Sequence, residues 1–164
     1  MNHLVVSNGL GENFALSRDG KVVYVASNDG HFRGYNVATG AVVRDIALGA
    51  NLDGLTLSRD GTYAVITEGV PVSVQTSPIV DNNVAVVSVY RVNLLTGATQ
   101  TYNYSAFGTA YTFGDVAYTT DTQVMLTSTT IAGYSWAPEQ LVTLDLQTGQ
   151  FLRATQTYYG KEGQ

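Results

Sequence analysis

The sequence predicts an all-β fold in which three repeats each supply four antiparallel strands, and three observations carry that expectation. The phrase LSRDGKVVYVAS (Leu16 to Ser27) returns as LSRDGTYAVITE (Leu57 to Glu68) and, in degenerate form, as YTTDTQVMLTST (Tyr118 to Thr129). A second corner also recurs three times, as NVATG (Asn36 to Gly40), NLLTG (Asn93 to Gly97) and DLQTG (Asp145 to Gly149). Only 13% of the 164 residues are charged, 17 are Gly and 11 are Tyr, a mixture that favours strands, and no stretch shows a helical period.

Each element follows from these corners. Asp19-Gly20 and Asp60-Gly61 lie between β-type runs, where Gly accepts the positive φ of a tight turn; Asp121-Thr122 holds the same place without Gly, so its turn must differ. In the other corner a leading Asn or Asp bonds forward to the backbone and the closing Gly turns the chain back. The first repeat therefore reads as strands over Glu12 to Ser17, Lys21 to Asn28, His31 to Val37 and Ala41 to Leu48, with SNDG (Ser27 to Gly30) as a further hairpin signal. The second reads as Gly54 to Ser58, Thr62 to Glu68, Val84 to Asn93 and Ala98 to Tyr104. The third reads as Gly114 to Thr119, Gln123 to Thr129, Glu139 to Leu146 and Gln150 to Tyr158.

Four antiparallel strands repeated at a spacing of tens of residues are the pattern of β-propeller blades. The second strand, such as VVYVA, is apolar on both alternating faces, which suits a sheet packed between two neighbours. An immunoglobulin-like sandwich would not repeat the two corners in phase. The blades span about 12–49, 53–105 and 114–158 of a single propeller-type domain over 1–164, and 3–7 (HLVVS) aligns with an extra outer strand.

The segment FALSRDGKVVYVASNDGHFRGYNVATGAVVRDIALG (Phe14 to Gly49) resembles a YVTN-type β-propeller repeat, with its Ser-x-Asp-Gly corner, Tyr-Val strand and Asn-x-x-Thr-Gly turn. The match is close in the first repeat, good in the second apart from an insertion, and loose in the third. The resemblance implies an architecture shared by surface-associated proteins, lactonase-like propellers and propeller subunits of redox enzymes, and fixes no chemistry.

Propellers close into rings, typically of four to eight blades, so three blades leave two apolar flanks to be covered. Two accounts stand open: self-association with a second copy, or the remaining blades of a larger propeller. The first makes the chain a non-catalytic module for assembly or for protein or carbohydrate recognition. The second makes it a fragment or subunit of a propeller enzyme, lactonase-like or redox, whose catalytic residues lie outside this chain.

Because strand direction alternates within a blade, the Asp-Gly and Thr-Gly corners share one end, where chemistry is least expected. The long segments Gly69 to Asn83, Ser105 to Phe113 and Thr130 to Pro138 share the other. That end carries Phe107, Tyr111, Phe113, Tyr134 and Trp136, with Asp81 and Glu139 at its edges, and is the candidate binding face. The competing expectation is that these rings cover the blade ends as core.

The remaining sequence mostly excludes. There is no Cys, so disulfides, thiol nucleophiles and thiolate metal sites are absent. His3 and His31 have no neighbouring ligand spacing, and each acidic corner offers a single carboxylate where a calcium loop needs several, so neither metal nor cofactor is expected. A net charge of -5 argues against nucleic acid as a partner. No apolar run is long enough for a membrane span, and MNHLVVSNGLGENF has no signal-peptide pattern, although the Thr-, Asn- and Tyr-rich character resembles exported or cell-surface bacterial β-proteins.

Overall fold

Twelve strands pair into three four-stranded antiparallel sheets in the computed structural model, which describes residues 11–69, 85–106, 111–130 and 140–156. The extra strand expected at 3–7 lies outside the described residues. The first sheet takes β1 (Gly11–Leu16), β2 (Val22–Ser27), β3 (His31–Asn36) and β4 (Val42–Ala47) in sequence order. The second takes β5 (Leu52–Leu57), β6 (Tyr63–Glu68), β7 (Ala85–Asn93) and β8 (Thr99–Ala106). The third takes β9 (Tyr111–Thr120), β10 (Gln123–Thr130), β11 (Gln140–Asp145) and β12 (Phe151–Gln156), so all three are meanders of consecutive hairpins.

The corners fold as their residues dictate. Asn36 Oδ1 accepts the Ala38 and Thr39 N–H groups at 3.0 and 2.9 Å, and the Gly40 N–H closes the turn on the Asn36 carbonyl at φ 71°. Asn93 and Asp145 repeat the arrangement. At the other corner Gly20 N–H bonds to the Ser17 carbonyl and Ser17 N–H to the Val22 carbonyl, a four-residue loop. Thr120 pairs directly with Gln123, so the Gly-less third corner shrinks to the two residues Asp121 and Thr122.

Sheet register decides which neighbour each side chain meets. In the first sheet Tyr24 pairs with Gly34 and Ala26 with Phe32, and this face packs on Leu55, Ala64, Ile66, Tyr90 and Val92 of the second sheet. Tyr24 stacks on Phe32 at 5.4 Å, in the room that Gly34 leaves beside it. The second sheet turns its other face, with Val65, Val87, Val89 and Tyr102, to Val116, Val124, Leu126, Val142 and Leu144 of the third. Two cores thus lie between three sheets, and the middle sheet feeds both.

The inner strands β1, β5 and β9 lie side by side, and one side chain ties the last two together. Thr67, fully buried, accepts the Gly54 N–H and donates to the Gly114 carbonyl, both at 2.7 Å.

Among the described residues, no further sheet packs on either outer face of the arc. On the first sheet Phe14 pairs with Val25 and Leu16 with Val23, facing away from the second sheet. Val25 and Tyr35 at the middle of this face are buried, whereas Phe14 and Leu16 are 73% and 55% exposed. On the far face of the third sheet, Leu141 and Leu152 are 40% and 54% exposed.

Candidate functional site

The loop end, expected to be the binding face, is described only in part. Phe107, Tyr134 and Trp136, with Asp81 and Glu139, lie outside the described residues, and Tyr111 is the first residue of β9. Phe113 belongs to β9 rather than to the preceding segment and is completely buried. Its ring lies parallel to Phe151 at 6.0 Å and tilted against Tyr104 at 5.4 Å. Phe113 is therefore a core residue and presents no surface to a ligand.

The same end carries a charged network on the first sheet. The β2–β3 turn places Asp29 beneath Arg33, which donates two hydrogen bonds to it at 2.7 and 3.1 Å and reaches Asp45 on β4 at 3.4 Å. His31 Nδ1 lies 2.6 Å from Asp45 Oδ1. Burial works against the Asp29 carboxylate, but the Arg33 guanidinium and the His31 N–H outweigh it and lower its pKa. The guanidinium is enclosed and its charge is matched, so the network holds the β2–β3 turn to β4. Among the described residues no group of three or more His, Asp or Glu side chains is arranged to hold a metal ion.

The tight-turn end, where sequence reasoning expected least, holds a cavity of about 420 Å³. Arg18 comes from the β1–β2 corner, Ser58, Arg59 and Asp60 from the β5–β6 corner, and Asp121 from the β9–β10 corner. Tyr63 and Arg91, facing each other from the start of β6 and the end of β7, complete the lining. The Arg91 guanidinium carbon lies 3.9 Å from the centre of the Tyr63 ring, a cation–π pairing that fixes the long side chain. The signal in the sequence was the Arg before each Asp-Gly corner, Arg18 and Arg59, but only the packing of neighbouring sheets brings these to Arg91.

Asp60 is fully occupied within its own corner. Ser58 Oγ donates to it at 2.6 Å, and Thr62 donates from both Oγ1 and N–H at 2.7 and 3.0 Å. These bonds, that of Ser58 first, hold its carboxyl down at about 2. Such a carboxylate stabilises the fold above its unfolded pKa, near 3.8, and the contribution is lost as pH falls toward the folded value. The thermal midpoint is expected to drop between about pH 4 and pH 2, and Asp60→Asn to flatten part of that drop. Superimposable pH profiles of the two proteins would refute this account.

No protein-family model matches the chain, and no curated protein is similar to it. Solved structures are similar in fold. U3-55K and the RRP9 WD40 repeats superpose with TM-scores of 0.64 at 11% and 12% identity, and the Cps50 (Swd1) β-propeller domain of Myceliophteria thermophila with 0.63 at 9%. Each covers 91% of this chain, which spans 40%, 39% and 42% of theirs. Three meandering four-stranded sheets, stacked face to face with their inner strands side by side, and this likeness together establish that the chain folds as blades of a β-propeller.

Proposed function

We propose that the chain is a non-catalytic propeller module for assembly and recognition, built of YVTN-type repeats, whose open flanks are covered by further blades. The observation that carries the reading is the exposure of Phe14 and Leu16 on the outer face of the first blade. Large apolar side chains paired across neighbouring strands resemble a blade interface without its other half. A second copy of the chain supplies such a half, since Leu141 and Leu152 on the third blade offer an apolar face for Phe14 and Leu16 to meet. Two arcs joined head to tail at both flanks make a closed six-bladed ring. The long links at the other end, with Tyr134 and Trp136, then face a protein or carbohydrate ligand.

The expected result in light scattering on a sizing column is a species of two chains, each of 17.5 kDa. Substituting both Phe14 and Leu16 by Glu is expected to convert it to single chains. A wild-type chain that stays monomeric and soluble at high concentration would overturn closure by association. The alternative is completion by the remaining blades of a larger propeller, for which the share of about two-fifths that the chain covers in each matched structure is support; that larger propeller is then the enzyme, lactonase-like or redox, whose catalytic residues lie outside this chain. A reading frame that continues into further blades is its direct test.

A further inference from the structure

Three arginines converge on the cavity at the tight-turn end, and none of them forms an ion pair with a carboxylate among the described residues. Arg33, by contrast, is matched by Asp29 and Asp45. The two carboxylates that line the cavity form no ion pair with these arginines. Asp60 spends its oxygens on Ser58 and Thr62, and Asp121 stands exposed at its own corner. Arg91 is the most constrained of the three. Its Nε is buried without a hydrogen-bond partner, its guanidinium rests on Tyr63, and the Tyr102 and Tyr118 hydroxyls lie beside it. Tyr102 gives its own proton to the Leu146 carbonyl at 2.7 Å, and burial pushes Tyr118 up to about 12, so both hydroxyls stay neutral. A fixed guanidinium with two exposed ones on other corners is a fork suited to a planar anion.

We propose that this cavity binds a carboxylate group, of a small acid or of an acidic peptide side chain, through Arg18, Arg59 and Arg91. Charge decides for a carboxylate over a phosphate dianion. Three arginines against Asp60 and Asp121 leave one positive charge, which a single carboxylate balances and a dianion exceeds. The site lies at the end opposite the long links and is independent of how the ring is completed. Proteins that recognise an acidic segment need only a small pocket of this kind, because bidentate guanidinium bonds carry both charge and orientation.

The test is a titration of the isotope-labelled chain, followed by the backbone amide signals of the three corners. The probes are a capped Gly-Glu-Gly peptide, its Gly-Gln-Gly counterpart, acetate and inorganic phosphate. A saturable shift at the corners with the glutamate peptide, at least tenfold weaker with the glutamine peptide, is the expected result. Arg91→Lys and Arg59→Gln are each expected to weaken it at least fivefold, with the spectra otherwise unchanged. Acetate equal to the peptide identifies a small acid as the ligand, and acetate much weaker identifies a peptide; both support the site. No saturable shift, equal binding of the glutamine peptide, a preference for phosphate, or unchanged affinity in the two variants each overturns the proposal.

Discussion

Phe113→Ala is expected to lower the free energy of unfolding by about 3–5 kcal/mol, the usual cost of emptying a fully buried aromatic site. The ring is completely enclosed, and its removal takes away the stacking partner of Phe151 and the tilted partner of Tyr104 as well as its own burial. The cavity falls between the second and third blades, where Val65, Val87 and Val89 on one side and Val116 and Leu126 on the other are themselves buried. Tightly packed β-branched neighbours on paired strands relax little, so the loss should sit in the upper part of that range. Urea denaturation followed by tyrosine fluorescence measures it. A loss below about 1 kcal/mol would show that Phe113 is peripheral, against its burial here.

Thr67→Val is expected to cost about 3 kcal/mol, although it exchanges side chains of nearly equal shape. The hydroxyl is the only element changed, and it serves two backbone groups at once, accepting from Gly54 and donating to Gly114. Without it a buried N–H and a carbonyl lose their partner, each at a cost of about 1–3 kcal/mol. Water has little room to substitute, because even a single added carbon on Gly54 would run into the Gly114 carbonyl and the Thr67 hydroxyl. Thr67→Ser keeps the hydroxyl and should recover most of the loss. If valine and serine variants unfold at the same denaturant concentration, the bridge contributes nothing and the effect is one of volume.

The strands were legible because the corners announce themselves. Asn36, Asn93 and Asp145 each begin a turn whose hydrogen bonds stay within four residues, so the chemistry is local and the sequence displays it whole. Of the twelve strands, β9 departs most: it begins at Tyr111, three residues before the expected Gly114. A register shift between Leu126 and Ser128 lets the strand continue past Gly114 and brings Phe113 opposite Ser128, facing inward. No local pattern encodes that shift, which depends on how β10 meets its neighbour. The cavity was illegible for a similar reason. Arg18, Arg59 and Arg91 are far apart in the chain, and only the side-by-side packing of β1 and β5 brings the first two corners together. Taken one at a time, Arg18 and Arg59 are exposed corner residues with nothing local to mark them as part of a site.

The sharing of two cores among three blades has a consequence for how order is distributed along the chain. The middle blade places Leu55, Ala64 and Ile66 in one core and Val65, Val87 and Val89 in the other, whereas among the described residues each terminal blade shares a core with one neighbouring blade. Stability in such an array is a sum of neighbour terms, so the terminal blades open at lower free energy than the centre. The chain then behaves as a short zipper with a protected middle and two fraying ends, and whatever caps an end raises the resistance of the whole to unfolding and proteolysis.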